Sequence, residues 1–221
     1  MTIKEAIEER HMVRRYIDKP IPTEIKKQLE ERIEKINKEN NLNFTLVTES
    51  AKGVGLLAKA LFKPIVYNYI IFAGEDNDSL DENIGYFGSD IMLYAQTLGL
   101  NSWWNGGMFS RRETKKFFDK GDIRVNGVLA VGYGQDQGKP HKSKTAEEIS
   151  SYEGKAPQWF INGVMAVLFA PTAVNKQNFT IKGKDNKVLM TYKSGYLSDV
   201  DLGIGKYHFE VGAGKENFKW Q

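Results

Sequence analysis

The chain has 221 residues, of which 41% are hydrophobic and 27% charged, so it is long enough to bury a substantial core. Its net charge of +3 is too small to argue for a nucleic-acid partner by itself. The absence of cysteine excludes disulfides, thiolate nucleophiles and cysteine-based metal sites, and the three histidines show no metal-ligand spacing.

The first residues and the hydropathy pattern bear on location. Residues 1–10 are charged and contain no apolar core of a signal peptide. No apolar run approaches the roughly 20 residues that a membrane-spanning helix needs. We therefore expect a soluble, cytoplasmic protein without a membrane partner.

Helical and strand patterns alternate along the first hundred residues. Residues 2–10 and 23–40 have the apolar spacing of helices, and Thr23 is a candidate cap for the second. The next predicted elements are a strand over 42–46, a helix over 55–62, a central strand over 65–72 and a long buried helix over 84–98 that ends at Gly99.

The remaining elements follow a similar order. Residues 110–113 and 145–148 form capping boxes, and the first of them predicts a short helix. The other predicted elements are a strand over 125–133, a helix over 157–170, a hairpin of strands over 179–182 and 188–192, and a closing helix from Ser198.

The order of predicted elements repeats after Ser150. The order helix, strand, helix after that point echoes residues 23–99, and the segment from Asp201 corresponds to the segment from Ile84. We interpret this as a diverged internal duplication with halves 1–149 and 150–221 that together form one compact unit. Chance similarity between two α+β segments is the alternative.

The loop after the helix predicted over 157–170 carries a candidate site. It contains the small residues Pro171, Thr172 and Ala173, followed by the amides Asn175 and Gln177. Small residues let a planar ligand approach the backbone, and paired amides can bond to the edge of a heteroaromatic ring. The alternative is a loop whose amides cap its own backbone.

Four cations in two short segments form a candidate phosphate site. Arg10 and Arg14 lie four residues apart, and guanidinium groups bind phosphate bidentately. Lys142 and Lys144 follow the strand predicted over 125–133. The alternatives are a solvated basic turn for the arginines and a mobile surface loop for the lysines.

A pair of glycines, Gly106 and Gly107, follows Trp103 and Trp104. Paired glycines allow backbone amides to face a ligand directly, and the two tryptophans can form a wall of a planar site. The alternative is a glycine-rich turn beside two core tryptophans.

Together these motifs resemble those of the FMN-dependent nitroreductase family. Residues 171–179 are similar to its proline–small–small–x–Asn–x–Gln–Pro–aromatic loop, with Thr172 in place of serine and Asn178 in place of proline. Residues 10–16 resemble its Arg-x-Ser-x-Arg/Lys-x-aromatic segment, with Met12 in place of serine.

Two further segments complete the resemblance. Residues 99–107 are similar to the family's Gly-Leu-x-Ser/Thr-x-Trp-x-Gly-Gly segment, and residues 142–144 to its Lys-x-Arg element, with Lys144 in place of arginine. The loop at 171–179 falls in the last quarter of the chain rather than after the first helical hairpin. The chain therefore looks most like the rearranged branch of the family, which a Thermotoga nitroreductase typifies.

The resemblance implies an α+β nitroreductase-like fold, a mixed or antiparallel sheet flanked by helices, and FMN as cofactor. It implies that NADH or NADPH gives a hydride to flavin N5 and that a nitroaromatic, a quinone or a similar acceptor takes two electrons. No side chain is catalytic on this account, because the flavin carries the redox chemistry. The implied cofactor-binding residues are Arg10, His11, Met12, Arg14, Gly106, Gly107, Lys142, Lys144, Pro171, Thr172, Ala173, Asn175 and Gln177.

The resemblance also bears on assembly and on alternatives. In ordinary nitroreductases the flavin lies at a homodimer interface, whereas here one chain carries all four motifs. We expect a monomer that acts as a pseudo-dimer, with a homodimer as the alternative. Other flavin chemistry, or FMN binding without turnover, is the competing function. We expect no nucleic-acid partner, because aromatic and basic residues do not interleave on one strand.

Overall fold

The computed structural model describes residues 1–63, 66–118 and 122–221. These residues fall into two compact units. The first unit comprises Arg10–Leu80 and Ile91–Pro140, and the second comprises Met1–Glu9, Asp81–Asp90 and His141–Gln221. These bounds follow spatial contacts and differ from the halves 1–149 and 150–221, which concern the origin of the chain and stay a prediction.

Helices and strands alternate through the described residues. The helices are α1 Ile3–Glu9, α2 Thr23–Asn40, α3 Leu56–Leu61, α4 Leu80–Thr97, α5 Arg111–Lys115, α6 Ala146–Ile149, α7 Gln158–Val167 and α8 Ser198–Ala213. The strands are β1 Thr45–Val47, β2 Tyr69–Glu75, β3 Asn101–Asn105, β4 Ile123–Gly132, β5 Ser150–Tyr152, β6 Phe179–Lys184, β7 Lys187–Tyr192 and β8 Lys219–Trp220.

The first unit is built on an antiparallel sheet with the strand order β1-β2-β4-β3. The central strand β2 is buried over 69–74, as its run of β-branched and aromatic residues predicts. The segment 10–16 runs beside β3: Met12 pairs with Ser102, and the Val13 N–H donates to the Ser102 carbonyl over 3.0 Å. This pairing places the first basic segment along the strand that leads into Gly106.

The second unit is built on a mixed sheet with the order β5-β6-β7-β8. The outer pairs β5–β6 and β7–β8 are parallel, and the hairpin β6–β7 is antiparallel. β6 alternates buried and exposed residues, with Phe179 and Ile181 facing the core. The predicted α+β class, with mixed and antiparallel sheets flanked by helices, is therefore confirmed.

Within the second unit, Asp81–Asp90 of α4 crosses α8 at two glycines. A Cβ on Gly85 would collide with the Val200 carbonyl oxygen, and a Cβ on Gly203 would collide with the Glu82 carbonyl oxygen. Each glycine thus faces the residue three positions before the other glycine. Such reciprocity is the pattern of a two-fold related contact. It aligns Gly85 with Gly203, one position away from the alignment of Ile84 with Asp201, so the duplication stays a prediction.

Several element boundaries differ from the sequence predictions. Thr23 is the first residue of α2 rather than its cap, because Pro22 occupies the flanking extended position with φ −56° and ψ 145°. The strand predicted over 65–72 begins at Tyr69, and Ile65 lies outside the described residues. β3, β5 and β8 were not predicted. Among the described helices, none is long and apolar enough to cross a membrane.

Candidate functional site

Gln177 links the loop over 171–177 to the segment over 141–144. Its side chain is 1% exposed. Its Oε1 accepts the Lys144 N–H over 2.8 Å, and its Nε2 donates to the Leu168 carbonyl over 2.8 Å and lies 3.1 Å from His141 Nε2. Ser143 Oγ donates to the same carbonyl over 2.8 Å. Two segments that the sequence predicted separately therefore form one hydrogen-bonded structure.

Asn175 makes a second link between these segments from a more exposed position. Its Nδ2 donates to the Lys142 carbonyl over 2.8 Å. The alternative stated from the sequence, a loop whose amides bond to backbone, therefore holds in part for the side chains of Asn175 and Gln177. The Gln177 side chain is committed to protein partners, which favours a role in holding the loop, and its direct contact with a ligand stays a prediction.

The same loop has an unusual backbone conformation. Val174, Asn175 and Gln177 have φ values of 53°, 55° and 45°, in the region that favours glycine. A β-branched residue there is strained, and such strain persists only where the surrounding structure enforces it. The Gln177 N–H donates to Thr172 Oγ1 over 3.0 Å, which is one of the bonds that enforce the shape.

Asp201 of α8 bonds to the backbone of this loop. Its carboxylate accepts the Ala173 N–H over 2.9 and 3.1 Å, and the residue is 2% exposed. Burial raises the pKa of this carboxyl to about 6, although the Ala173 N–H opposes the shift. Burial, and next the Asp201 charge, raise the pKa of the Tyr192 hydroxyl to about 12.

The charged groups of the two lysines in the 141–144 segment are available to an anion. The Lys142 side chain is exposed and Lys144 is half-buried. Neither ammonium group makes a hydrogen bond or an ion pair with a described residue. Backbone groups of both residues are held by the loop amides, so the segment is fixed while its cations can reach an anion.

In the first unit, Arg10 is buried and has no partner within the part of the chain that the structure describes. The residue is 5% exposed, and its guanidinium has no hydrogen bond or ion pair among the described residues. Burial lowers its pKa to about 10. Arg14, in contrast, is exposed, and its guanidinium carbon lies 5.0 Å from the ring centroid of Phe62 and 5.8 Å from that of Trp103.

His11 and Met12 lie between the two arginines. Met12 is 43% exposed and pairs with Ser102 of β3 through its backbone, while His11 is half-buried. The backbone of Met12 and the Cβ of His11 leave no room for a side chain at Gly138. The segment is therefore fixed at its backbone, with the Met12 side chain directed to solvent.

The turn at Gly106 and Gly107 is organised by Asn105. Asn105 is 3% exposed, and its Oδ1 accepts the Met108 N–H over 2.6 Å. Its Nδ2 has no partner among the described residues, and neither has Trp104 Nε1 on the same strand. Buried donors without partners are uncommon in proteins, and they indicate a place where a ligand with acceptor atoms could bind.

The structure thus gathers the predicted residues into two groups. The first unit holds Arg10, His11, Met12, Arg14, Gly106 and Gly107, and the second unit holds Lys142, Lys144, Pro171, Thr172, Ala173, Asn175 and Gln177.

Sequence reasoning missed Asn105, His141 and Asp201. Asn105 precedes a glycine pair, which was the available signal. His141 stands beside a predicted lysine pair, but without metal-ligand spacing its position in the sequence does not indicate a role. Asp201 lies 28 positions from the Ala173 amide that it accepts, and no local pattern reveals that pairing.

Solved structures share this fold. A "putative nitroreductase" of Thermotoga maritima is 21% identical and has a TM-score of 0.70, covering 98% of this chain and 85% of its own. A "putative nitroreductase" of Desulfovibrio desulfuricans in complex with FMN is 17% identical, with a TM-score of 0.55, 71% of this chain and 99% of its own covered. The fold is therefore that of the nitroreductases.

A third similar structure is a "putative NADH dehydrogenase/NAD(P)H nitroreductase" of Parabacteroides distasonis, 19% identical with a TM-score of 0.53, covering 66% of this chain and 95% of its own. No curated protein matches the chain significantly. The family described as "Putative TM nitroreductase" matches residues 2–213. The chain belongs to that family, as the sequence motifs indicated.

Proposed function

We propose that this protein is an FMN-dependent oxidoreductase that takes a hydride from NADH or NADPH and passes two electrons to a nitroaromatic, a quinone or a similar acceptor. Membership of the nitroreductase family supports oxidoreductase activity. A neighbour in complex with FMN and another named for NAD(P)H support the cofactor and the donor.

The observation that carries the proposal is Arg10. A guanidinium that is 5% exposed and has no hydrogen-bond or ion-pair partner among the described residues costs folding free energy, because burial removes most of its hydration. An anion that binds it regains part of that cost through charge-assisted hydrogen bonds. The terminal phosphate of FMN is such an anion, so the residues present fit this cofactor.

The resemblance to the family assigns further residues to FMN. It implies that Lys142 and Lys144 of the second unit carry charge for the phosphate. The family resemblance places the Gly106–Gly107 turn against a ring nitrogen, and the Nδ2 of Asn105 is a buried donor at the same turn. FMN, when bound, supplies the hydride and two-electron chemistry, while these side chains bind and orient it.

The alternative function is FMN binding with other flavin chemistry or without turnover. Met12 stands where the resembling motif has serine, and its exposed side chain offers no hydroxyl for a flavin contact. Lys144 stands where that motif has arginine, so a bidentate phosphate contact is missing. Both substitutions weaken the expected site without removing its charge.

The first experiment measures cofactor and turnover together. The purified protein is incubated with FMN, desalted and examined by visible absorption, and NADH or NADPH oxidation is then followed with a nitrofuran acceptor. We expect a yellow protein that oxidises at least one nicotinamide. A protein that stays colourless overturns the proposal, and a yellow protein without turnover selects the alternative.

The second experiment tests Arg10 itself. Replacing Arg10 with Met is expected to weaken FMN binding about ten- to a hundredfold, since a charge-assisted contact contributes about 1.5–3 kcal/mol. The apoprotein is expected to become more stable, because the buried charge is gone. Arg15→Met is the matched control on an exposed neighbour. Fluorescence titration and thermal unfolding measure the two effects, and unchanged FMN affinity contradicts the assignment.

A further inference from the structure

The first unit contains a cavity of about 270 Å³ that the proposed FMN residues do not line. Its walls come from Tyr16–Pro20, from Glu49, from Val66–Asn68, from Gly132 at the end of β4 and from Tyr133 after it. The Ile17 N–H donates to the Tyr133 carbonyl over 2.8 Å, and the Ser50 N–H donates to the Tyr67 carbonyl over 2.7 Å. The lining segments are therefore held to each other by backbone bonds.

Asn68 is the buried polar side chain of this cavity. The residue is 6% exposed, and its Oδ1 accepts the Glu49 N–H over 3.3 Å. That bond identifies the remaining amide nitrogen, Nδ2, as a donor, and no described residue accepts from it. This nitrogen is not fully buried, so it is accessible and can donate to an acceptor atom of a ligand that enters the cavity.

Glu49 lies directly beside this donor. Its backbone has φ 57°, in the region that favours glycine, and it is held there by the bond from its N–H to Asn68. A strained residue at a cavity indicates a functional constraint. Glu49 is exposed and is one of the residues that line the cavity, so its carboxylate can accept a hydrogen bond from a ligand there.

Aromatic and aliphatic groups line the rest of the cavity. Tyr67 is 47% exposed, and Tyr133 lies under the Lys19 ammonium, whose Nζ is 4.1 Å from the ring centroid. Exposed aromatic faces beside a few polar groups are typical of sites for small planar ligands. The Lys19 cation adds positive charge near any acceptor atom that enters.

We propose that this cavity binds a small planar heteroaromatic ligand whose edge carries a carbonyl oxygen next to an N–H group. The carbonyl oxygen accepts from Asn68 Nδ2, and the N–H donates to the Glu49 carboxylate. The ring packs against Tyr67 and the aliphatic wall. A lactam edge, as in an oxopurine, and a carboxamide, as in nicotinamide, both present this pattern.

The binding experiment uses matched pairs of probes and isothermal titration of the full-length protein. Inosine and 1-methylinosine differ in the lactam N–H, and nicotinamide and methyl nicotinate differ in the amide N–H. We expect inosine or nicotinamide to bind at least about tenfold more tightly than its partner without the N–H. The pair whose members differ in affinity shows whether the ligand edge is a lactam or a carboxamide.

Variants assign the binding to this cavity. Asn68→Asp keeps an oxygen for the Glu49 N–H but removes the donor, and Glu49→Gln keeps the shape of an exposed side chain but removes the charge. Each is expected to weaken binding about tenfold or more. Asn186→Asp, on the exposed hairpin turn between β6 and β7, is the matched control and is expected to bind normally.

The outcomes decide the proposal even if Asn68→Asp fails to fold, because Glu49→Gln tests the same edge on the surface. Selective binding of one probe that both folded variants weaken supports the site. Absence of binding by inosine and nicotinamide overturns it. Binding that persists in Glu49→Gln also overturns the proposal, because the ligand then binds elsewhere. Equal affinity for both members of a probe pair overturns it too, because the ligand then binds by another edge.

Discussion

Gln177 and Asn175 lie two positions apart in one loop, yet their amides are used differently. The buried Gln177 side chain bonds to Lys144, Leu168 and His141, while the exposed Asn175 side chain bonds to Lys142 and to no other described residue. A buried group left without its partner costs more than an exposed one, which water can satisfy.

Replacement of Gln177 with Leu keeps the volume but leaves the Lys144 N–H without its acceptor. We expect a loss of about 2–4 kcal/mol in the free energy of unfolding, because buried polar groups lose their bonds. Asn175→Ala is expected to cost about 1 kcal/mol or less. Urea unfolding of both variants measures the difference, and equal losses contradict the view that Gln177 holds the loop.

The buried carboxyl of Asp201 is expected to make the stability of the protein depend on pH. Its pKa in the folded protein is about 6, above its ordinary value of 3.8, so folding favours the protonated form. The ionised carboxylate therefore opposes folding above pH 6, and this cost disappears as the pH falls from 6 towards 4. Asp201→Asn is expected to stabilise the protein at pH 7.5 by about 2 kcal/mol and to have little effect at pH 4.

Thermal unfolding across this pH range checks the Asp201 prediction. Asp199→Asn provides the control on an exposed carboxylate in the first turn of α8, where we expect a small loss from the helix dipole. A destabilised Asp201→Asn at pH 7.5 indicates that the charge of the bond to Ala173 is worth more than its burial costs.

At the residue scale, the sequence predicted the segments of the candidate site better than the bonds within them. Lys142, Lys144, Asn175 and Gln177 were predicted as candidates because they lie in short local motifs that resemble those of the family, and their contact with a cofactor stays a prediction. The bond between Gln177 and Lys144 joins residues 33 positions apart, and such pairings depend on the fold rather than on a local pattern. For the same reason, no local pattern indicates the bond between Asp201 and Ala173.

The crossing of α4 and α8 sets the tolerance of both helices to substitution. Gly203→Ala places a methyl group against the Glu82 carbonyl oxygen, which belongs to main chain and has little room to move. Alanine favours a helix by up to about 1 kcal/mol over glycine, but overpacking costs about 1–3 kcal/mol or more. We therefore expect a net loss of stability.

The matched control for Gly203→Ala is Gly195→Ala. Gly195 lies in the loop before α8, where a Cβ would meet nothing within 4 Å. This variant is expected to be neutral or slightly stabilising, because alanine restricts the unfolded chain. Denaturant midpoints of both variants measure the contrast, and a neutral Gly203→Ala contradicts the close approach of the two helices.

Element prediction succeeded where patterns were long and failed where strands were short. The apolar spacing of α2, α4 and α7 and the hairpin β6–β7 are carried by ten or more residues each, so their type is evident. β5 and β8 contain three and two residues and form only by pairing with β6 and β7. β3 was obscured by the glycine pair that follows its tryptophans.

At the scale of the whole molecule, one chain contains both groups of predicted cofactor residues. The region after Ser150 has no counterpart of Arg10 and Arg14 or of the Gly106–Gly107 pair. We expect one FMN per chain and a monomer in solution. Sedimentation equilibrium combined with flavin absorbance measures both numbers, and a stable dimer whose FMN contacts Arg10 of one chain and Asn175 of another contradicts the prediction.

The reciprocal glycines also constrain how this sequence can change over evolutionary time. Copies made by a duplication usually diverge independently, because a substitution in one copy can be offset by a smaller side chain nearby. At Gly85 and Gly203 the obstacle is the backbone of the opposite helix, which no mutation can make smaller. These two positions are therefore expected to stay glycine while the rest of α4 and α8 changes, and if the predicted duplication is right they would outlast most other traces of it.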